Sequence, residues 1–304
     1  MRVIFMGTPD FAVPTLDALV GAGHEVIAVV AQPDRPKGRG QKMISPPTIE
    51  RARQLGLQTK QPRAVRRGPF VDWMIQAKAD VAVVVAYGRI LIPALLNAPR
   101  YGCINVHASL LPKFRGAAPI NWAIVRGETT SGVATMQMAE GLDTGDVLLE
   151  ATTPIGPSET AGELHDRLAP MGAKLAVDTL ARIDSIVPQP QDHEAHTLAP
   201  LIDRALAQID WSLTAQEIHD LVRGFNPWPT AWTHLGAERM KVHRTRVVDG
   251  SGTPGEVLIA DTKLVVAAGE EALELEQIQL PGKRVQSGRD LVNGGRIGKG
   301  VTLA

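Results

Sequence analysis

The chain has 304 residues, 44% of them apolar and 21% charged, with 32 basic residues balancing 32 acidic ones. This is a globular composition that can bury a full core, and zero net charge excludes a molecule that grips nucleic acid over its whole surface. The length fits two domains, the lone Cys103 excludes an intrachain disulfide and points to the reducing cytoplasm, and no run approaches the ~20 apolar residues of a membrane span.

In chain order, residues 3–6 read as a first strand closed by the turn Gly7-Thr8-Pro9-Asp10. Residues 13–19 or 13–20 read as a helix that stops at Gly21 or Gly23. Residues 24–31 and 81–86 form a second and a third strand, the latter apolar throughout, as strands covered on both faces are. Strands alternating with helices predict the α/β class, with a doubly wound, mostly parallel sheet. The first turn lacks the G-x-G-x-x-G pattern, so the pyrophosphate cradle of a dinucleotide site is missing.

Between the second and third strands, Pro36, Gly38 and Gly40 predict a long loop without helix or strand. From Arg35 to Arg67 the chain carries ten basic residues against the single acid Glu50. A basic, glycine-rich loop suits a polyanion.

Residues 102–107 give a fourth strand, in which Cys103, Ile104 and Val106 are small or β-branched and apolar. Asn105 and His107 lie two apart and leave the strand on one face. A loop from Ala108 to Gly116 cannot extend that strand. Residues 118–125 read as a helix, 132–138 and 147–155 as strands, with the tight loop Glu140-Gly141-Leu142-Asp143-Thr144-Gly145-Asp146 between them. Ser158 is expected to cap a long helix whose Leu164, Leu168, Met171, Leu175 and Leu180 recur at helical spacing.

Periodicity fails at 186–207, which reads as a linker between domains at 1–185 and 208–304. The second domain shows a helix at 213–225, capped by Ser212 or Thr214, then five short strands with Gly-rich turns. That pattern predicts a small β-barrel of the OB type.

If Asp143 converges on Asn105 and His107, a carboxylate orients an imidazole, and an amide and an imidazolium together can donate to an oxygen gaining charge. No serine elbow or other protein nucleophile is evident, so the nucleophile must belong to a substrate, for instance an amine.

Asn105-Val106-His107-Ala108-Ser109-Leu110-Leu111-Pro112, Arg115-Gly116 and Leu142-Asp143-Thr144-Gly145-Asp146 resemble the signature of 10-formyltetrahydrofolate-dependent formyltransferases. Gly7-Thr8-Pro9-Asp10-Phe11, Gln32-Pro33-Asp34-Arg35-Pro36, Ile209-Asp210-Trp211 and Phe225-Asn226-Pro227-Trp228-Pro229 extend the resemblance over essentially the whole chain. It implies a Rossmann-like formyltransferase domain and a C-terminal tRNA-binding barrel. The implied co-substrate is 10-formyltetrahydrofolate, without a metal. The implied acceptor is the α-amine of methionine on initiator methionyl-tRNA, and the implied state a monomer. The family's catalytic Asn, His and Asp map onto Asn105, His107 and Asp143. Its folate-pocket turn maps onto Ser109, Leu110, Leu111 and Pro112, with Tyr87 and Gly88 nearby. Its basic tRNA loop maps onto residues 33–47, with Arg35, Lys37, Arg39 and Lys42 as contacts. Where the family commonly has two basic residues this chain has Gln41-Lys42, one charge fewer. In the second domain, basic character must come from local clustering such as Lys241, Arg244 and Arg246.

Overall fold

The computed structural model describes residues 1–37 and 40–304. The elements begin with β1 (Arg2–Gly7), α1 (Val13–Gly21), β2 (Glu25–Val30), β3 (Arg35–Lys37), β4 (Lys42–Ile44), α2 (Pro47–Gln54) and β5 (Thr59–Lys60). There follow α3 (Pro69–Gln76), β6 (Val81–Val85), α4 (Pro93–Leu96), β7 (Cys103–His107), β8 (Arg115–Gly116), α5 (Pro119–Val125), β9 (Thr130–Gln137), β10 (Val147–Pro154) and α6 (Ala161–Ala181). The chain ends with β11 (Leu198–Ala199), α7 (Ala215–Gly224), β12 (Ala231–Leu235), β13 (Glu238–Val248), β14 (Val257–Ala260), β15 (Leu264–Ala267), β16 (Ala272–Gln279), β17 (Gln286–Ser287) and α8 (Gly288–Asn293). They divide into two compact units. One comprises Met1–Pro119, Ser131–Thr153 and His165–Ala199, the other Ile120–Thr130, Pro154–Leu164 and Pro200–Ala304.

The first unit is built on a seven-stranded sheet in the order β10-β9-β7-β6-β1-β2-β5. Strands β7, β6, β1, β2 and β5 run parallel, and β9 pairs antiparallel with β7. The expected doubly wound, mostly parallel sheet is present. Every residue of β6 is buried, so its valines pack on both faces. The chain leaves β1 toward β2 but returns with β6 on the other side of β1, which makes the gap between β1 and β6 the switch point. Register sets Gly7 level with Val85 and Val84 level with Asn105, so three parallel strands end on one edge. The edge is tied together by short polar links. Thr8 Oγ1 donates to Tyr87 O (3.2 Å), and Gln32 Nε2 donates to Tyr87 O (3.0 Å) and Gly88 O (3.1 Å).

Two expectations for this part of the chain are corrected. The basic segment is not strand-free: Arg35–Lys37 pairs antiparallel with Lys42–Ile44, Pro36 lying opposite Met43. A two-stranded ladder consists of edge strands alone, and there proline is admissible. The helix cap is Thr160 rather than Ser158. Thr160 Oγ1 accepts from Glu163 N (3.2 Å), while Thr160 N donates to Glu163 Oε2 (2.8 Å), a reciprocal capping box.

The second unit carries an antiparallel sheet in the order β12-β13-β16-β15-β14, with β17 added on β16. The segment 301–304 closes it: Thr302 bridges to Glu256 beside β14, and Leu303 bridges to Leu235 of β12. A sheet whose two end strands share a neighbour has no free edge, which is the barrel solution. Met240, Val242, Val257, Val266, Leu273, Ile278 and Leu303 are among the buried residues of its core. Helix α7 is capped by Thr214, one of the two expected residues, through a capping box with Glu217. Of the expected basic cluster, Arg244 pairs with Glu163, and Arg246 with Glu274 and Glu276.

Candidate active site

Asn105 and His107 are 9% and 6% exposed. Across the ladder they stand opposite Met136 and Ala134, so all four side chains share one sheet face. Leu111, Ala134, Met136 and Val147 pack into an apolar wall there. The intervening Val106 leaves on the opposite face, where its Cγ1 would lie 2.9 Å from a Cβ added to Gly172 of α6. The predicted two-residue spacing therefore does set the pair side by side.

His107 Nε2 lies 3.0 Å from Phe114 O. A carbonyl can only accept, so Nε2 carries the proton and Nδ1 is the nitrogen left for chemistry. That edge faces Asp143, whose Oδ2 is 3.9 Å from Nδ1 and accepts from Gly116 N at 2.9 Å. With Nε2–H committed, Nδ1 can donate only when the ring is an imidazolium. Asp143 thus meets His107, and Asn105 shares the sheet face of that histidine. Asp143 reaches this position from a left-handed backbone, φ 50°, a conformation that needs support from its surroundings.

Among the described residues nothing hydrogen-bonds to the Asn105 side-chain amide. The only fully enclosed side-chain polar atom without a partner among them is Ser131 Oγ, so the Asn105 amide opens to solvent. A mostly buried amide without such a partner is a candidate binding group, because an enclosed polar atom left unsatisfied costs ~1–3 kcal/mol.

The segment expected as a linker supplies groups that sequence reasoning missed. Thr197 Oγ1 accepts from Phe114 N (2.9 Å) and Thr197 O from Arg115 N (2.9 Å), while β11 runs parallel to β8. These bonds fix the carbonyl that His107 uses. Gln191 Oε1 accepts from Arg115 Nε (3.0 Å) and Nη2 (2.7 Å), and its Nε2 donates to Asp143 O and Gly145 O. The one signal available was Pro188-Gln189-Pro190, because residues before proline are held extended and suit a strap.

Of the folate-turn residues, Ser109 Oγ donates to Lys113 O (2.7 Å), and Lys113 N donates to Leu110 O (3.1 Å), closing the turn. Leu110 presses on Gly132, where an added Cβ would lie 2.5 Å from Leu110 Cδ2 and 2.2 Å from Ala151 O. Leu111 is in the apolar wall, and Pro112 O accepts from Thr197 N (3.4 Å). Tyr87 is buried in the core of the sheet, and burial pushes its phenol up to about 12. It meets the sheet edge through its carbonyl. Gly88 follows with φ 72°, and a Cβ there would lie 2.6 Å from Gln32 Nε2. Of the tRNA candidates, exposed Arg35 donates through Nη2 to Gln32 Oε1, Lys37 pairs in register with Lys42, and Lys42 is exposed. Arg39 lies outside the described residues.

Cys103 shares the strand but belongs to the core, its Sγ 3.5 Å from Leu95 O, and burial pushes its thiol up to about 12. Only the thiolate reacts, so an excess of iodoacetamide at pH ~8 should leave the native thiol unlabelled and label it fully in concentrated guanidinium chloride. The folded chain holds this proton where the unfolded chain releases it. The stability it contributes is complete below the ordinary thiol range and is lost as pH climbs toward about 12.

Among the described residues no group of three or more His, Cys, Asp or Glu is placed to hold a metal ion, and no helix is long and apolar enough to cross a membrane. Two family models match: Formyl transferase over residues 1–180, and Formyl transferase, C-terminal domain over residues 201–296. A methionyl-tRNA formyltransferase of Ruegeria pomeroyi is 49% identical over 303 residues, 100% of each chain. One of Geobacter metallireducens is 45% identical over 306 residues, 100% of this chain and 98% of its own. Among solved structures, the fold is similar to an N-formyltransferase of Helicobacter canadensis in complex with folinic acid and dTDP-3-aminofucose. That likeness has a TM-score of 0.67 at 16% identity and covers 90% of this chain and 98% of the other.

Proposed function

The chain belongs to the formyl transferase family, with the methionyl-tRNA formyltransferases, and on that footing we propose that Asn105, His107 and Asp143 carry its chemistry. The reaction moves the formyl group of 10-formyltetrahydrofolate to the α-amine of methionine on initiator methionyl-tRNA. The observation that supports these roles is that the Asn105 amide, without a partner among the described residues, shares one face of β7 with His107, whose Nδ1 edge faces Asp143.

The co-substrate supplies a formyl carbon bonded to a nitrogen that can leave. Leu111, Ala134 and Met136 offer that group an apolar wall, and the turn at Ser109, Leu110 and Pro112, with the Tyr87 and Gly88 backbone, bounds it. Asn105 Nδ2–H and His107 Nδ1–H donate to the formyl oxygen as it becomes an oxyanion, interactions stronger in the transition state than before it. Asp143 holds the imidazolium and, through a water, takes the amine proton, which passes to the departing nitrogen as the old C–N bond breaks. The attacking amine must be neutral, and an α-amino group with a pKa near ~8 is partly so at neutral pH.

For the acceptor, Arg35, Lys37, Arg39 and Lys42 contact the acceptor end of the tRNA, whose unstacked nucleotides suit a basic segment of chain. Residues 1–185 carry the catalytic part, joined by the strap at 186–199 that holds Asp143, and 208–304 the tRNA-binding barrel. The enzyme works as a cytoplasmic monomer. The test is formyl transfer from 10-formyltetrahydrofolate to charged initiator tRNA, set against an amino sugar nucleotide. Turnover of the sugar alone would end this reading. Lys42→Ala should raise KM for the tRNA ~3–10-fold and lower the salt slope by ~1, because one phosphate contact is lost. KM for the folate should stay within ~2-fold, and an equal rise in both would remove Lys42 from the tRNA site.

A further inference from the structure

We propose that Gln191 is a positioning residue for formyl transfer, holding the 143–145 backbone so that the Asp143 carboxylate stays against the Nδ1 edge of His107. The proposal rests on the role given to Asp143 above.

Gln191 is 7% exposed, although its neighbours Pro190 and Asp192 are exposed. Its amide uses its full hydrogen-bonding capacity. Oε1 takes two bonds from Arg115, and Nε2 gives one to Asp143 O (2.9 Å) and one to Gly145 O (2.6 Å). Guanidinium only donates and backbone carbonyls only accept, so the amide has one orientation.

The choice of residue type points to the loop. Arg115 is 4% exposed, and among the described residues its side chain binds Gln191 and His193, with no carboxylate partner. If position 191 served only to stabilise a buried guanidinium, a glutamate would serve it better. A glutamate, however, has no N–H for the carbonyls of Asp143 and Gly145. An amide satisfies both sides, so holding the loop explains it.

The loop needs such a tie. Leu142 is 61% exposed, and Asp143 sits in the left-handed region at φ 50°. Its carboxylate is fixed by Gly116 N, the residue after Arg115. Gln191 thus links the backbone of Asp143 to the same two-residue strand that holds its side chain. A displacement of ~1 Å at a catalytic group can cost ~100-fold in rate.

The experiment is steady-state kinetics on Gln191→Glu, Asp143→Asn and the double variant, with melting temperatures recorded. Gln191→Glu keeps the shape and the bonds to Arg115 but sets lone pairs against the two carbonyls. Its kcat should fall ~10–100-fold, with KM for both substrates within ~3-fold and the fold intact at the assay temperature. In the Asp143→Asn background the same change should cost less than ~3-fold more, because the group it positions is already lost. If Asp143→Asn lowers kcat while Gln191→Glu leaves it within ~3-fold, or if the two losses multiply in full, the positioning role is overturned and the role of Asp143 stands. If Asp143→Asn leaves kcat unchanged, the role of Asp143 falls and this one with it. Should Gln191→Glu not fold, Gln191→Met is measured instead; it removes the Arg115 bonds as well, so the size of its further loss in the Asp143→Asn background decides.

Discussion

His107→Ala is expected to lower kcat for formyl transfer by at least ~100-fold, with KM for 10-formyltetrahydrofolate changed by less than ~3-fold. The size follows from the geometry. Nε2 is committed to Phe114 O, so the ring offers one N–H to the reacting oxygen, from Nδ1, opposite a carboxylate at 3.9 Å. Removing one oxyanion donor from an enclosed site costs ~3–4 kcal/mol in the transition state. Asn105→Ala removes the neighbouring donor and should fall in the same range. The two variants differ in stability. His107→Ala removes the imidazole donor of Phe114 O, a loss of ~1–3 kcal/mol, whereas the Asn105 amide has no partner among the described residues to lose. A lower melting temperature for His107→Ala alone, with both enzymes crippled, is the expected pair of results. A kcat within ~3-fold of wild type for either would remove that residue from the chemistry.

What could be read in the sequence was what depends on neighbours along the chain. Asn105 and His107 were legible as a pair because strand periodicity fixes which residues share a face. The valines of β6 announced a strand buried on both sides. The capping box was also legible in principle: Glu163 lies three residues after Thr160, while three after Ser158 stands Ala161. Local breakers misled at β3 and β4, because Pro36 stands on an edge strand, where proline is admissible, and Gly40 falls outside the two paired segments. The ties of Asp143 were illegible. Gln191 is 48 residues away from it, in a stretch without periodicity, and its partners are backbone carbonyls that carry no residue-type signal. Non-local bonds to the main chain leave almost no trace in sequence, and here they hold Asp143, the one member of the proposed catalytic trio that sits on a loop.

Gly145→Ala should therefore damage catalysis more than its single methyl would suggest. A Cβ at that position would lie 1.7 Å from Gln137 O and 2.9 Å from Gln137 C, both backbone atoms at the end of β9. No rotamer relieves such a clash, so the loop must move off the strand. Gln137 N donates to Asp146 O (2.8 Å) and Gly145 O accepts from Gln191 (2.6 Å), so both ties are strained at once. Overpacking of this kind costs ~1–3 kcal/mol of stability. The carboxylate two residues earlier moves with the loop, and kcat should drop ~10–100-fold while KM for the tRNA changes little. Gly21→Ala is the matched control, since nothing lies within 4 Å of its added Cβ, and it should leave kcat and melting temperature as they are. A Gly145→Ala enzyme with wild-type kcat and a lowered melting temperature would show that the loop can shift without consequence. In that case the position of Asp143 would have to be set by Gly116 N alone.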